Sequence, residues 1–445
     1  MAAKTRLPRM KAMQTVKVIG AGLAGCEAAW RLAEEGVSVE LYDIKPKSFS
    51  PAHKSADFAE LVCSNSLKSN DVYGNACGLL KEEMRVLGSL TMQAAAQSAV
   101  PAGGALAVDR DRFAGFITDK IKNHKNIKVI CAEVARVPEG ACVVATGPLT
   151  CGPLAEDIAA VTGGGLHFYD ASAPIISAES IDMSRAFAGG RYGKGGDDYL
   201  NCPMTKEEYK AFYAALSSAE RAQLHSFEKR EIFEGCMPLE VMAARGEDTL
   251  RFGPFKPVGL RDGEGRSYYA VLQLRKENLE GSAYNLVGCQ TNLKFGEQKR
   301  VFSLVPALKN AEFLRYGVMH RNTFINSPQC LSEDFSLKNS PQTFFAGQIT
   351  GVEGYVESAA SGILAAIHLS RRLRGKTTLI PPEKTVCGAL SRYIAAENVN
   401  FQPMNANFGL LGAAETGIRD KKERYKFLAE RALKYIGEYK DLLCQ

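Results

Sequence analysis

The sequence predicts an α/β fold in which a Rossmann-type domain is interrupted by an inserted α/β domain. The first observation is a β-branched run at 16–19, followed at once by glycines, a helix with an apolar face and a second strand. Two parallel strands need such a helical crossover, so this is a βαβ unit. The second observation is a return of the strand–glycine–helix pattern at 343–371. The third is the length of 445 residues, which exceeds one ordinary core.

Local patterns predict the elements in order. The first helix is expected at 26–35, where Gly36 ends it, and the second strand at 37–42. The stretch 44–75, rich in Pro, Ser, Asn and Lys, is expected to be a loop with short helical pieces. Further along, the same criteria predict helices at 78–87 and 112–122 and strands at 127–131 and 141–145.

The middle of the chain has a different pattern. Segments such as 268–274 and 284–290 are typical of antiparallel strands, and charged helical segments such as 206–216 separate them. Residues 421–443 place apolar side chains on one helical face: Tyr425, Leu428, Ala432, Ile436, Tyr439 and Leu443. The predicted nucleotide-binding domain has two parts, residues 14–170 and 336–412. An insertion on the substrate side, residues 171–335, separates them, and a helical tail, residues 413–445, follows.

Composition excludes several classes of protein. Apolar residues make up 46% and charged residues 23%, the balance of a soluble globular protein, and a net charge of +6 permits a nucleic-acid partner without requiring one. Twelve scattered cysteines without a C-x-x-C pair predict reduced thiols rather than disulfides or a metal site. With no secretory h-region and no apolar run of membrane-spanning length, a cytoplasmic location away from membranes is expected.

A dinucleotide site is predicted at Gly20-Ala21-Gly22-Leu23-Ala24-Gly25, which has the G-x-G-x-x-G pattern. The first glycine permits the tight turn, the second lets the backbone approach a pyrophosphate, and the third lets helix and strand pack closely. The helix N-terminus then offers free N–H groups and a positive dipole end to the phosphates. Asp43 ends the second strand, where an acid hydrogen-bonds ribose hydroxyls.

Two further segments favour FAD as the dinucleotide. The strand at 141–145 runs into Thr146-Gly147, which resembles the strand end of FAD-dependent proteins. A second glycine-rich turn with Gly347, Gly351 and Gly354 leads into another helix, whose N-terminus can approach the flavin. Tyr355 follows this turn and is a candidate to stack near the flavin or the substrate. The expected fold is therefore a glutathione-reductase-like, FAD-binding Rossmann domain.

The chain resembles the methylenetetrahydrofolate–tRNA-(uracil-5-)-methyltransferase family along nearly its whole length. Four positions depart from frequent family residues, namely Cys26 for Ser, Cys289 for Phe, Asn292 for His and Phe295 for Trp. The matching segments, in chain order, are GAGLAG (20–25), ELVCSNSL (60–67), VPAGGALAVDR (100–110), FEGCMP (233–238), GPFKPVGL (253–260), FGEQKRVF (295–302), YGVMHRNTFINSP (316–328), FFAGQITGVEGYVESAASG (344–362) and FQPMNANFGLL (401–411).

The resemblance implies methylation of carbon 5 of a uridine in the T-loop of tRNA, at uridine-54. The one-carbon unit would come from 5,10-methylenetetrahydrofolate through reduced FAD, with NAD(P)H as reductant. The implied partners are tRNA and folate, and the sequence predicts no protein partner. A target uridine would have to be flipped out of its loop before chemistry.

Two cysteines in the matching segments are the catalytic candidates. Carbon 5 of uracil becomes nucleophilic once a thiolate adds at carbon 6, and Cys236 is the candidate for that thiolate. Cys63 is the candidate to remove the carbon 5 proton or to protect the flavin adduct. The two roles could be exchanged.

Cations in the insertion are candidates for RNA phosphate contacts: Lys294, Lys299, Arg300, Arg315, His320 and Arg321. Three alternatives stay open at this stage. The same chemistry could act on 23S ribosomal RNA, the protein could be a flavin oxidoreductase without an RNA substrate, or it could be a non-catalytic flavin-bearing RNA-binding protein.

Overall fold

The computed structural model describes residues 15–50, 52–193, 196–222, 237–399, 401–412 and 417–445. The chain begins with the expected βαβ unit and continues with shorter helices and strands. In order, these first elements are β1 (Val16–Ile19), α1 (Leu23–Glu34), β2 (Val39–Asp43), β3 (Ser66–Ser69), α2 (Ala76–Val86), α3 (Leu90–Ser98), β4 (Ala99–Val100), β5 (Ala105–Val108), α4 (Arg110–Lys122), β6 (Ile127–Cys131), β7 (Cys142–Val144) and α5 (Gly152–Thr162).

The middle and the end of the chain contain the remaining elements. The middle elements are β8 (Gly165–Ala171), β9 (Ile175–Ser177), β10 (Phe187–Ala188), β11 (Tyr199–Met204), α6 (Lys206–Ser218), α7 (Leu239–Ala243), α8 (Thr249–Phe252), β12 (Ala270–Lys276), β13 (Ala283–Leu286), α9 (Phe295–Phe302), β14 (Phe313–Arg315) and β15 (Met319–Ile325). The last are α10 (Ser327–Cys330), β16 (Ser336–Leu337), β17 (Ser340–Phe345), α11 (Tyr355–Leu373), α12 (Val386–Ala395) and α13 (Lys421–Leu443).

A six-stranded sheet with the order β16-β17-β7-β1-β2-β6 forms the centre of the larger core. All neighbours pair in parallel except β16 and β17, and Val18 lies opposite both Leu41 and Val143. Helices α1 and α11 pack together so closely that a Cβ at Gly362 would lie 2.1 Å from the carbonyl oxygen of Ala24. The carboxyl ends of the parallel strands therefore face the starts of both helices, as the predicted α/β fold requires.

The second sheet is antiparallel and has the order β10-β11-β12-β13-β9-β14. Helices α6 and α9 cover it and share a separate hydrophobic core with it. The long pair of β8 with β15 joins this part to the rest. Antiparallel strands in the middle of the chain were expected, while the domain limits at 171, 336 and 413 stay a prediction.

Several local predictions differ from the structure. Helix α1 begins at Leu23 rather than at residue 26, because the last three residues of the glycine motif form its first turn. Residues 44–75 contain strand β3 instead of short helical pieces. Helix α13 has the predicted bounds, and its apolar face packs into the larger core. Among the described helices, none is long and apolar enough to cross a membrane.

Candidate active site

A cavity of about 570 Å³ opens at the carboxyl ends of the parallel strands. This volume lies within the range of small-molecule and cofactor sites. Most of the predicted site residues line it: Gly20, Ala21, Gly22, Leu23, Ala24, Asp43, Cys63, Thr146, Gly147, Gly347, Gly354 and Tyr355. Segments far apart in sequence thus meet around one space.

The three glycines of the first turn have different surroundings. A Cβ at Gly20, where φ is +98°, would lie 2.6 Å from the carbonyl oxygen of Ala145. A Cβ at Gly25 would lie 1.8 Å from the carbonyl oxygen of Gly20, so this glycine sets the packing of α1 on the turn and lies outside the cavity lining. A Cβ at Gly22 would meet nothing within 4 Å. Of the three, only Gly22 therefore has open space where a Cβ would point, and a diphosphate would fit there.

The start of α1 keeps donors available. Gly22 is the N-cap residue and supplies no side-chain hydrogen bond to the first turn. Asp43 is fixed nearby, because one carboxylate oxygen accepts from the Ala21 N–H at 2.7 Å and the other from the Lys45 N–H at 2.9 Å. A carboxylate has further lone pairs, so Asp43 still has acceptor capacity for ribose hydroxyls. The N–H groups at the uncapped start of α1 suit a diphosphate, and the Asp43 carboxylate suits a ribose, so together they fit a dinucleotide.

The end of β7 and the second glycine-rich turn form the opposite side. Gly147 has φ +75° and open space where a Cβ would point. A Cβ at Gly347 would lie 3.0 Å from the Ala24 Cβ, so the two turns lie against each other. Gly351 is blocked by Phe401, whose ring would be 2.5 Å from its Cβ, and it does not line the cavity. Its φ of +83° makes it a turn residue.

Lys68 and Glu357 form an ion pair at the cavity that the sequence did not indicate. The Lys68 ammonium lies 3.1 Å from Glu357 Oε1, and the Glu357 side chain is fully buried. Burial acts to lower the pKa of Lys68, but Glu357, together with Cys77 and Glu353, outweighs burial, so the net pKa is raised. Gly354 has φ +117°, which favours glycine, and a Cβ there would also displace both charged groups, since it would lie within 2.6 Å of each. The only feature of the sequence that points to Lys68 is its position directly after the matching segment 60–67.

Cys63 and Tyr355 meet at the cavity wall. The Cys63 N–H donates to the Tyr355 hydroxyl oxygen at 2.7 Å, which joins residues 292 positions apart. Burial, with a contribution from Cys63, raises the pKa of the Tyr355 phenol well above its ordinary value. The phenol therefore stays protonated at neutral pH and can donate its own proton to a neighbour.

The Cys63 segment is anchored on the antiparallel sheet. Arg275 on β12 donates to Asn65 Oδ1 at 3.0 Å and to Ser64 Oγ at 2.9 Å. Arg110 pairs with Glu277 at 2.7 Å and donates to the Leu61 carbonyl oxygen. The antiparallel sheet and the start of α4 thus determine where the Cys63 backbone lies.

Cys236 lies outside the described residues, so the structure does not test its meeting with Cys63. The residues beside that segment are described. The Leu239 N–H donates to the Gln290 carbonyl oxygen at 2.7 Å, and Gln290 lines the cavity. Among the described residues, no group of three His, Cys, Asp or Glu side chains could hold a metal ion.

The predicted RNA-contact cations differ in their surroundings. Lys294 pairs with Glu220 at 2.5 Å and Arg300 with Glu297 at 2.6 Å. Within the described part of the chain, Lys299 and Arg315 form no ion pair. The side chains of His320 and Arg321 lie outside the description.

The fold and the cavity define a Rossmann-type dinucleotide-binding protein of the FAD class, with a large antiparallel insertion beside the site. Two solved crystal forms of GidA from Aquifex aeolicus have this fold, each with a TM-score of 0.70 and 17% identity. The match covers 96% of this chain and 73% or 76% of those chains. A family model described as "Glucose inhibited division protein A" matches residues 15–377.

Curated relatives narrow the class further. A protein of Acetivibrio thermocellus is 58% identical over 428 residues, which are 95% of this chain and 98% of the relative. One of Desulfitobacterium hafniense is 57% identical over 432 residues, or 96% and 99% of the two chains. Both are named methylenetetrahydrofolate–tRNA-(uracil-5-)-methyltransferase TrmFO. The chain belongs to the TrmFO family of methyltransferases, as its sequence motifs predicted.

Proposed function

We propose that the chain methylates carbon 5 of uridine-54 in the T-loop of tRNA, in the cytoplasm, with FAD as cofactor. 5,10-Methylenetetrahydrofolate would give the one-carbon unit and NAD(P)H the reducing equivalents. The observation that carries this proposal is the 56–58% identity, over nearly the full length, to proteins named for folate-dependent methylation of uracil in tRNA. A cavity with two glycine-rich turns and an adjacent thiol supports it.

Residues 14–170 and 336–412 would hold the cofactor, and 171–335 would face the RNA. The bare N-terminus of α1 would bind the diphosphate, and Asp43 would accept from the ribose. The second turn would bring the N-terminus of α11, with Tyr355 at its start, towards the isoalloxazine. When bound, FAD would supply hydride transfer, which no protein side chain can perform.

The remaining chemistry falls to the thiols. A Cys236 thiolate would form a bond to carbon 6 of uracil and make carbon 5 nucleophilic. Carbon 5 would then bond to the one-carbon unit, lose its proton to a base, and the sulfur–carbon 6 bond would break. Overall, uridine, methylenetetrahydrofolate, NAD(P)H and one proton give 5-methyluridine, tetrahydrofolate and NAD(P)+.

Cys63 is the proposed base or flavin-protecting thiol, and Tyr355 is its positioning partner. The Tyr355 oxygen accepts from the Cys63 N–H, which fixes the backbone that carries the thiol. An exchange of the two cysteine roles remains part of the proposal.

The decisive experiment uses labelled methylenetetrahydrofolate, NAD(P)H and an unmodified tRNA transcript, followed by mass analysis of the methylated fragment. We expect a yellow protein that adds one labelled methyl group in the T-loop, while S-adenosylmethionine does not replace the folate. A 23S ribosomal RNA transcript is the control, and preferential methylation of it would contradict the tRNA assignment. NAD(P)H turnover that needs neither folate nor RNA would favour a simple oxidoreductase.

Replacement of Cys236 by alanine tests the nucleophile. We expect Cys236→Ala to lose methyl transfer entirely and to keep its FAD, because the thiol would contact substrate and not the cofactor's diphosphate. Cys444→Ala is the matched control, since this exposed cysteine lies outside both catalytic motifs and does not line the cavity. Turnover like that of the unmodified enzyme in Cys236→Ala would exclude the assignment.

A further inference from the structure

Three aromatic rings form a continuous stack on the antiparallel part of the protein. The Phe313 and Tyr316 rings are parallel within 5°, with centroids 5.0 Å apart. Tyr316 in turn stacks on Phe295 at 4.6 Å and 15°. Phe302, which is fully buried in the core of this region, contacts Phe313 from the other end. This aromatic stack therefore runs from the core to the surface, where Phe295 is 54% exposed.

The backbone around the aromatic stack is fixed. The fully buried Gln298 side chain donates to the carbonyl oxygens of Leu293 and Gly317, both at 2.7 Å, and accepts from the Gly317 N–H at 2.8 Å. It thereby ties the start of α9, which carries Phe295, to the residue that follows Tyr316. A stack held in this way loses little entropy when another flat group is added to its end.

The charge around the stack favours a polyanion. Residues 290–319 contain five Lys or Arg and two Glu. Glu220 outside this range also pairs with Lys294, so five cations against three glutamates leave an excess of two. The exposed Lys299 forms no ion pair within the described part of the chain. Exposed aromatic rings beside unpaired cations are the combination by which proteins bind single-stranded nucleic acid.

The residues just before Phe295 are connected to the cavity and to the residues that flank the Cys236 segment. Gln290, five residues before Phe295, lines the cavity. The Ala222 N–H donates to the Asn292 carbonyl oxygen at 2.8 Å, and the Leu239 N–H to that of Gln290. Ala222, before the 223–236 segment, and Leu239, shortly after it, are therefore hydrogen-bonded to the segment 290–294 that leads into Phe295.

We infer that the outer face of Phe295 is a stacking site for an unpaired base of the RNA substrate, at a nucleotide next to the one that reacts. This inference rests on the proposed function and identifies where its RNA is held. Base–aromatic stacking does not read sequence, because every base has a flat face, so the site positions the loop while the cavity selects the uridine. Lys299 would contact a phosphate of the same segment.

The test compares Phe295→Ala with Phe252→Ala in the full-length protein loaded with FAD, using an unmodified tRNA transcript. Phe252 is 80% exposed and outside every ring stack given above, so it controls for loss of surface aromatic area. We expect Phe295→Ala to weaken RNA binding about 5- to 100-fold and Phe252→Ala to leave it unchanged. The salt dependence of binding should stay the same in Phe295→Ala, but its slope should fall by about one in Lys299→Gln.

Phe295→Trp supplies a direct signal. The chain has a single tryptophan, Trp30, so a second one at 295 adds emission that a stacked base quenches. Quenching by the tRNA transcript, with affinity at least equal to that of the unmodified protein, is the expected result. Emission that does not change on RNA binding would overturn the inference.

Other outcomes would also overturn it. Equal RNA affinity of Phe295→Ala and Phe252→Ala excludes the stacking site. If Phe295→Ala changed only the KM for folate, the Phe295 ring would contact the pterin instead of RNA. If it changed only the oligomeric state, the ring would contact a second copy of the chain. Failure of the proposed function is a separate result, because it would appear as absent methyl transfer by the unmodified enzyme, whether or not RNA binds to Phe295.

Discussion

Helices α1 and α12 belong to the same core but begin in opposite ways. At α12, the Thr385 hydroxyl accepts from the Gly388 N–H, and Glu83 accepts from the N–H groups of Val386 and Cys387 at 2.8 Å each. At α1, Gly22 gives no side-chain cap at all. A buried helix start needs partners for its N–H groups. The protein itself thus completes the start of α12, and we propose that a ligand completes the start of α1.

The longer helices follow the same division. Among the described helices of nine or more residues, a side-chain cap is present on α2, α3, α4, α6, α12 and α13. It is missing on α1, α5 and α11, and these three contribute to the cavity wall. Missing caps thus coincide with the cavity, and at α5 they do so outside the two glycine-rich turns.

The largest expected effect comes from Gly25→Ala, which changes how α1 starts. A Cβ here would lie 1.8 Å from a backbone oxygen, so the helix or the turn must move. We expect a loss of about 3 kcal/mol or more in the free energy of unfolding, at the upper end for overpacked sites. Urea unfolding of the FAD-free protein measures it.

Gly115→Ala is the matched control for that substitution. Gly115 is inside α4, and a Cβ there would meet nothing within 4 Å. Alanine is the better helix former, so this variant should be about 0.5–1 kcal/mol more stable. Similar losses in both variants would mean that the close contact at Gly25 is unimportant.

Gly22→Asp gives α1 the cap that it lacks. The backbone of Gly22 is extended, and space is open, so the side chain can cap the first turn without strain. Stability of the FAD-free protein should stay equal or rise by a few tenths of a kcal/mol. Affinity for FAD should fall on the order of 100-fold, because a carboxylate would then repel the diphosphate.

Gly22→Asn distinguishes the effect of the negative charge on FAD affinity from the effect of a side chain that fills the space at the helix start. Asparagine caps a helix about as well as aspartate but carries no charge. FAD titration should therefore give an intermediate affinity, between the unmodified protein and Gly22→Asp. Unchanged FAD affinity in Gly22→Asp would show that the cofactor does not contact this helix start.

The cap of α12 should make stability depend on pH. Burial raises the pKa of the Glu83 carboxyl to about 7, although its hydrogen bonds to Val386 and Cys387 lower it. Because the folded pKa is above the ordinary carboxyl value of 4.5, the folded state binds more protons between these two values. The contribution of Glu83 to stability is therefore complete below pH 4.5 and falls as pH rises towards 7.

Glu83→Gln isolates that contribution. The variant has no proton to exchange, so its stability should change less between pH 4.5 and 7 than that of the unmodified protein. Over this pH interval, the unmodified protein should lose about 1–3 kcal/mol more unfolding free energy than Glu83→Gln, at ~1.4 kcal/mol per pKa unit. Parallel pH profiles of thermal unfolding for the two proteins would contradict the assignment.

The sequence was sufficient where interacting residues are close together in the chain. The first glycine motif, its strand and Asp43 belong to one βαβ unit, so local pattern predicts both conformation and location. Helix α13 was predicted because its apolar face repeats with the helical period. Helix α5, 152–162, was missed because small apolar residues surround its buried face, Leu154, Ile158 and Thr162, and obscure the helical period.

The sequence was insufficient where pairs join distant segments. Lys68 with Glu357, and Glu83 with the start of α12, are separated by 289 and about 300 positions. Neither pair has a local signature, and each depends on how α2, β3 and α11 pack. The aromatic stack joins α9 to β14 in the same way. The place of Cys236 still depends on the family motif alone.

The smallest expected effect tests whether the difference between helices with and without a side-chain cap matters for FAD binding. Thr385→Ala removes the side-chain cap of α12 and should cost about 1 kcal/mol of unfolding free energy, while Thr385→Ser should keep most of it. Neither variant should change FAD affinity, because α12 does not reach the cavity. If Thr385→Ala weakened FAD binding as much as Gly22→Asp does, the caps would act through general stability, and the bare start of α1 would have no special role in holding the cofactor.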